Sequence, residues 1–160
     1  IKDIKNNIGY DIRKKKVLIL GAGGAAMGII PNILYEQPSE FKIYNRTYEK
    51  AKKLCNKFLD IGKLDIVSLE DLEKNKFDII INSTSAGISG TEFFLPKNFF
   101  ENDAICYDLS YGAASNSFKN WANKNKLTFY DGLGMLLEQA ADSFYIWELK
   151  RPVITDELKN

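Results

Sequence analysis

The chain has 160 residues, of which 45% are hydrophobic and 27% charged, enough for one globular domain with a buried core. Its 22 Lys and Arg residues nearly balance 21 Asp and Glu residues, so no overall basic field predicts binding to nucleic acid or to an anionic membrane. The sequence contains no histidine, which excludes His-based acid–base catalysis, Ser–His triads and His-ligated metals.

The predicted elements alternate between strands and helices along the whole chain. Ile1, Ile4 and Ile8 have a helical spacing that predicts an arm leading into the first strand. Six apolar runs of strand length follow, at residues 16–20, 41–44, 64–67, 78–82, 104–108 and 127–130. Helical patterns separate or follow them, at residues 25–35, 48–59, 69–74, 115–125 and 133–149.

This order predicts an α/β fold, since strands separated by helices of such length form a parallel sheet covered on both faces. The expected fold is a doubly wound (Rossmann-type), six-stranded, mostly parallel sheet within one domain. Thr47 and Ser68 stand at the N-cap positions of the second and third helices. Cys55 and Cys106 fall in apolar periodic segments, so we expect buried free thiols and a reducing, cytoplasmic compartment.

A glycine-rich turn joins the first strand to the first helix. The sequence Gly21-Ala22-Gly23-Gly24-Ala25-Ala26 satisfies the dinucleotide fingerprint G-x-G-x-x-G/A at positions 21, 23 and 26. The first glycine permits the tight turn, the second lets the backbone approach a pyrophosphate, and the small third residue allows close packing of helix and strand. The free N–H groups at the start of the helix would then hold the pyrophosphate.

The end of the second strand indicates which dinucleotide binds. NAD-binding domains place a carboxylate about 20 residues beyond the glycines, on the ribose hydroxyls. Here the tip reads Asn45-Arg46-Thr47, with Lys50 three residues further on, and has no acidic residue. Arg46 can clamp a 2′-phosphate bidentately, Lys50 adds a second positive charge, and Asn45 and Thr47 add neutral hydrogen bonds. The tip therefore favours NADP(H) over NAD; the alternative is a pair of solvated surface cations.

Three further motifs follow predicted strands: N-x-T-S-A-G-x-S-G at residues 82–90, Y-D-x-x-Y at residues 107–111, and D-G-L-G-M-L-x-x-Q-A-A at residues 131–141. Together with the glycine turn and the N-R-T tip, they resemble the shikimate dehydrogenase family over residues 17–147. The resemblance implies NADPH-dependent reduction of 3-dehydroshikimate to shikimate, in aromatic amino-acid biosynthesis.

The resemblance also implies roles for individual residues. Thr84, Ser85, Leu109, Gly132 and Met135 would line the nicotinamide and ribose pocket. Tyr111 and Gln139 would reach substrate hydroxyl or carboxylate groups. The alternatives are a packed core tyrosine for Tyr111 and a solvated helix glutamine for Gln139.

Two departures from the family pattern matter. Met27 stands where many members carry Arg or Lys. No segment matches the family's substrate domain, which carries a catalytic Lys–Asp pair, so no catalytic residue is assigned in this chain. We therefore expect residues 1–160 to be the cofactor-binding domain alone, with a linker or connecting helix over residues 1–12 and the core with its closing helix over residues 16–149. Such a chain would be inactive by itself.

Other functions remain open from the sequence. A quinate/shikimate dehydrogenase that uses NAD shares this architecture, although an acidic strand-two tip is expected there. Glutamyl-tRNA reductase has a related domain with a similar turn, but the motif at residues 131–141 argues against it. A non-catalytic NADP-binding module, or a remnant of the fold that no longer binds a cofactor, completes the alternatives. The sequence makes no prediction of oligomeric state.

Overall fold

A computed structural model describes residues 1–85 and 95–155. The second half of the motif at residues 82–90 lies outside the described residues. The strands are β1 (Lys16–Leu20), β2 (Glu40–Tyr44), β3 (Asp65–Ile66), β4 (Phe77–Asn82), β5 (Phe100–Asp108) and β6 (Thr128–Tyr130). The helices are α1 (Gly24–Tyr35), α2 (Tyr48–Lys57), α3 (Leu69–Leu72), α4 (Asn116–Lys124) and α5 (Leu133–Glu148). One π-helical turn (Asp3–Asn7) precedes β1, and a 3₁₀ turn (Gly112–Ser115) precedes α4.

The described strands form one sheet in the order β3-β2-β1-β4-β5-β6, and every neighbouring pair is parallel. The predicted doubly wound sheet is confirmed. The chain reverses its direction of strand addition between β1 and β4, which is the point where open α/β sheets bind ligands, beyond the carboxyl ends of the strands.

The register aligns these carboxyl ends. Leu20 pairs with Tyr44 of β2 on one side and with Asn82 of β4 on the other. Asn82 in turn pairs with Asp108, the last residue of β5. Four neighbouring strands thus end at one level, and the loops that follow them emerge side by side.

The core is divided by the sheet, because successive side chains of a strand point to opposite faces. Val17 and Ile19 of β1 pack with α1 and α2, whereas Leu18 and Leu20 face the other side. On that second face a group of aromatic rings fills the space, including the stacked pair Phe118 and Trp121 with ring centroids 5.6 Å apart. Burial on both faces explains why the central strands are continuous apolar runs.

The N-terminal arm differs from the connecting helix predicted over residues 1–12. It contains a single helical turn, because Gly9 adopts a left-handed conformation (φ +74°) and redirects the chain toward β1. Ile4 and Ile12 are nevertheless buried against the core. The arm is therefore part of the packed domain.

Smaller differences have local causes. β5 begins four residues earlier than predicted, because the polar residues 101–103 interrupt the apolar pattern while the strand continues. Ser68 caps α3 as predicted, since its Oγ accepts a hydrogen bond from the Asp71 amide (3.1 Å). Thr47 occupies the N-cap position of α2, but among the described residues its side chain accepts no capping hydrogen bond.

None of the helices within residues 1–85 and 95–155 combines the length and apolar character that crossing a membrane requires.

Both cysteines are free and buried, and their reactivity tests the packing. Burial raises the pKa of the Cys106 thiol to about 12 and also raises the pKa of Cys55. Since the thiolate is the reactive form, we expect neither to be alkylated by iodoacetamide in the native protein at neutral pH, and both to be alkylated in guanidinium chloride. Mass spectrometry of the labelled protein measures this. Native labelling of Cys106 as fast as in denaturant would contradict the packing of β5.

Candidate cofactor-binding site

The glycine-rich turn leaves β1 through Gly21, which has a left-handed conformation (φ +101°). Its amide donates to the Tyr44 carbonyl (2.8 Å), and a Cβ at this position would lie 2.9 Å from Ser83 Oγ. Both the backbone conformation and the close approach of the loop after β4 require glycine here. The turn is thereby fixed between the ends of β2 and β4.

The amino end of α1 opens directly above this turn. Gly23 is the N-cap, and its carbonyl accepts from the Met27 amide (3.1 Å). The amides of Gly24 and Ala25 therefore belong to the first turn, where N–H groups have no partner within the helix. A Cβ at Gly23 or Gly24 would meet no atom within 4 Å. An exposed helix start, whose first N–H groups have no partner within the helix, and the positive end of the helix dipole can together hold an anion such as a pyrophosphate.

Asn45 joins the tip of β2 to the glycine-rich turn. Its Oδ1 accepts from the Ala22 amide (3.1 Å), and its Nδ2 donates to the Thr47 carbonyl (2.8 Å). The Ala22 amide is thus already engaged, and Asn45 retains only one amide hydrogen for a ligand. Asn45 and the Ala22 amide therefore hold the β2 tip against the glycine-rich turn, a contact that the sequence does not reveal.

Arg46, Thr47 and Lys50 are exposed around the start of α2. In the described part of the chain, neither Arg46 nor Lys50 forms an ion pair with a carboxylate. Two cations near the amino end of a helix are unfavourable, because the helix dipole is positive there. A bound phosphate would make the position of these two cations favourable, because its negative charge attracts both of them.

A buried polar pair supports the loops beyond β4 and β5. Asn82 is 1% and Asp108 0% exposed, and Asn82 Nδ2 donates to Asp108 Oδ2 (3.0 Å). Burial raises the pKa of the Asp108 carboxyl, against the opposing effect of hydrogen bonds from Ser110 and Asn82. Both residues lie within the motifs at residues 82–90 and 107–111, but the motifs alone give them no role. The available signal was a polar residue at the end of an otherwise apolar central strand.

This pair holds residues predicted for the nicotinamide pocket. Asn82 Oδ1 accepts from both the amide (3.0 Å) and the hydroxyl (2.8 Å) of Thr84, while the Leu109 amide donates to the Asn82 carbonyl (2.9 Å). Thr84 also borders the turn, since a Cβ at Gly21 would lie 3.0 Å from its Cγ2. Ser85 follows in the same loop and is exposed.

The start of α5 lies beside the loop after β5. The Gly132 amide donates to the Ser110 carbonyl (2.9 Å), and a Cβ at Gly132 would collide with the Leu109 carbonyl oxygen. Leu109 and Met135 both pack against the core cluster that contains Val17 and Ile19. The structure thus brings Leu109 and Gly132 together, with Met135 one turn further along α5.

The two predicted substrate residues are accessible. Tyr111 is 50% exposed, so it is not a packed core tyrosine. Gln139 is exposed on α5. Met27, which replaces a basic residue of the family pattern, is exposed, and its Sδ lies 3.2 Å from Lys57 Nζ. A cation from α2 therefore stands next to the first turn of α1.

The strand order, the open start of α1 and the aligned loops define a dinucleotide-binding domain of the Rossmann type. The sequence model of the shikimate / quinate 5-dehydrogenase family matches residues 3–92. The chain belongs to that family.

Individual relatives agree with this. The chain is 42% identical over 154 residues to a shikimate dehydrogenase (NADP(+)) from Cellvibrio japonicus, covering 96% of this chain and 56% of the relative. An Ael1 enzyme from Pseudomonas putida has a TM-score of 0.84 and 38% identity, covering 99% of this chain and 58% of that chain. A shikimate 5-dehydrogenase from Listeria monocytogenes, solved with shikimate and NAD, has a TM-score of 0.81 and 29% identity, covering 97% and 58%. The chain spans about half the length of the curated relatives that it matches.

The Asn82–Asp108 pair can be tested by exchanging its members. Asp108→Asn places an amide donor against Asn82 Nδ2 in a buried site, and we expect it to lower the free energy of unfolding by about 1–3 kcal/mol. In the double variant Asn82→Asp/Asp108→Asn, the new amide at position 108 can donate to the new carboxylate at position 82. The hydrogen bond is then restored in the opposite direction, so the double variant should be more stable than Asp108→Asn alone. Urea unfolding measures both. Additive losses would show that the two side chains are not coupled.

Proposed function

We propose that this chain is the NADP(H)-binding part of a shikimate dehydrogenase, which reduces 3-dehydroshikimate to shikimate. The observation that carries the proposal is the pair of exposed cations, Arg46 and Lys50, which follow Asn45, the residue that is hydrogen-bonded to the glycine-rich turn before α1. A 2′-phosphate complements the planar guanidinium of Arg46, whereas the unphosphorylated ribose of NAD would leave both cations without a partner. The relative from C. japonicus is named for NADP(+), which supports this choice.

The residues present fit the cofactor along its length. Arg46, Lys50 and the Thr47 hydroxyl would hold the 2′-phosphate, and the amides of Gly24 and Ala25 would bind the pyrophosphate. Asn45 would act mainly by fixing the β2 tip to the glycine-rich turn. The adenosine half would thus lie over the ends of β1 and β2.

The nicotinamide half would cross the switch point toward β4 and β5. Thr84 and Ser85 would border it on one side, and Leu109, Gly132 and Met135 on the other. The bound cofactor supplies the hydride for the substrate carbonyl. Tyr111 and Gln139, both exposed, would orient the substrate through hydrogen bonds to its hydroxyl or carboxylate groups.

The reaction also needs a proton donor, and the resemblance assigns that role to no residue of this chain. Because the chain spans about half the length of its curated relatives and lacks the family's Lys–Asp motif, we propose that the acid–base pair lies outside these 160 residues. The chain alone would then bind the cofactor without turning over shikimate.

A second candidate is use of NAD, since the L. monocytogenes relative was solved with NAD and shikimate. The two candidates differ in whether the 2′-phosphate contributes to affinity. That contribution can be measured directly on this chain.

Calorimetric titration with NADPH and NADH tests the proposal. We expect NADPH to bind at least about tenfold more tightly, a difference of about 1.4 kcal/mol. Arg46→Ala should remove most of this difference by weakening NADPH binding while leaving NADH binding unchanged, because only NADPH carries the phosphate that Arg46 would clamp.

Arg13→Ala is the matched control. Arg13 is exposed and precedes β1, so it lies at the amino ends of the strands, away from the carboxyl ends that carry the site. It should leave both affinities unchanged. Equal affinities of the native chain for NADPH and NADH would favour the NAD-dependent candidate. Loss of both affinities in Arg46→Ala would show a role for Arg46 other than phosphate recognition.

A further inference from the structure

The π-helical turn Asp3–Asn7 carries a buried carboxylate that the proposed function does not use. Asp3 is 5% exposed. Its Oδ2 accepts a hydrogen bond from the Tyr107 hydroxyl (2.6 Å), and its Oδ1 accepts one from Asn7 Nδ2 (2.7 Å). Each carboxylate oxygen thus has a donor, which makes its burial tolerable. Asp3 connects the N-terminal turn to β5 across 104 positions of sequence.

The same carboxylate lies against the backbone of α5. A Cβ at Gly134 would collide with Asp3 Oδ1. Gly134 does not adopt a left-handed conformation, so its backbone would accept another residue. Glycine destabilises a helix relative to alanine, and the approach of Asp3 supplies the reason for it here.

Two further contacts follow the same stripe of α5. Asn7 Nδ2 lies 3.4 Å from Glu138 Oε1, and Lys2 Nζ lies 2.7 Å from Asp142 Oδ2. Gly134, Glu138 and Asp142 are four residues apart, so they share one face of the helix. The N-terminal segment therefore contacts α5 along one face of the helix, with the closest approach at its first turn.

The first turn of α5 is held from two sides. Gly132 contacts the Leu109 carbonyl at the loop after β5, and Gly134 contacts Asp3. Met135 and Gln139, proposed to reach nicotinamide and substrate, project from this turn and the next. Any displacement of the turn would move the nicotinamide end of the site, while Arg46 and α1 lie on the other side of the switch point.

We propose that Asp3 is a positioning residue, which fixes the first turn of α5 through Gly134 and Tyr107 and thereby shapes the nicotinamide end of the cofactor site. This inference rests on the proposed function. It predicts that disturbing the Asp3–Gly134 contact weakens binding of the nicotinamide half of the cofactor and leaves binding of the adenosine half intact.

Gly134→Ala tests this with two probes. NADPH reaches both ends of the site, whereas adenosine 2′,5′-bisphosphate carries the 2′-phosphate without a nicotinamide. We expect Gly134→Ala to weaken NADPH binding about tenfold and to leave bisphosphate affinity unchanged. Gly28→Ala is the matched control, since Gly28 also lies inside a helix and a Cβ there would meet no atom within 4 Å. It should change neither affinity.

The double variant Asp3→Ala/Gly134→Ala tests the contact itself. Removing the carboxylate makes room for the new methyl group, so the double variant should bind NADPH no more weakly than Asp3→Ala alone. If the losses of NADPH affinity in the two single variants multiply in the double variant, a direct contact between Asp3 and Gly134 is contradicted. Should Gly134→Ala fail to fold by circular dichroism, Asp3→Ala carries the same two-probe comparison.

Parallel losses of both ligands, or no loss of NADPH binding, would overturn the role of Asp3 while leaving the proposed function standing. Failure of the native chain to bind the bisphosphate or NADPH would instead contradict the proposed function, and the inference with it.

Discussion

The parallel register of β2, β1, β4 and β5 is the constraint on which the site depends. Because Leu20 pairs with both Tyr44 and Asn82, and Asn82 pairs with Asp108, four loops start from one level. The hydrogen bonds of the parallel ladder set this level. The glycine turn, the cationic tip of β2 and the loops beyond β4 and β5 become neighbours only for this reason.

Above this edge, short polar contacts hold the loops. Asn45 ties the β2 tip to the Ala22 amide, Asn82 and Asp108 hold the loops after β4 and β5, and Asp3 holds the start of α5. The Asn82–Asp108 and Asp3–Tyr107 contacts are buried and their donors and acceptors are matched, which makes them effective. The groups left exposed at the rim, such as Arg46, Lys50 and Tyr111, are those with capacity for a ligand.

Most of the fold could be predicted because its signals are local. Apolar runs such as residues 16–20 and 78–82 mark buried strands, and the glycines after β1 mark the turn that opens α1. Where polar residues interrupt an apolar strand, as at residues 101–103, the apolar pattern places the start of the strand too late. In the N-terminal arm, the apolar spacing indicates a helix, but the left-handed Gly9 limits it to one turn.

The sequence by itself determined the fold class, the strand–turn–helix that can hold a dinucleotide and the basic tip that favours a 2′-phosphate, since each depends on residues close together in the chain. Only the tertiary structure decided what Asn45 and Asp3 contact. Asp3 meets Tyr107 and Gly134 from more than 100 residues away, and the side-chain oxygen of Asn45 accepts a hydrogen bond from the Ala22 amide, 23 residues earlier. No periodicity or motif encodes such pairs, because they exist only once the sheet has brought distant segments to one edge.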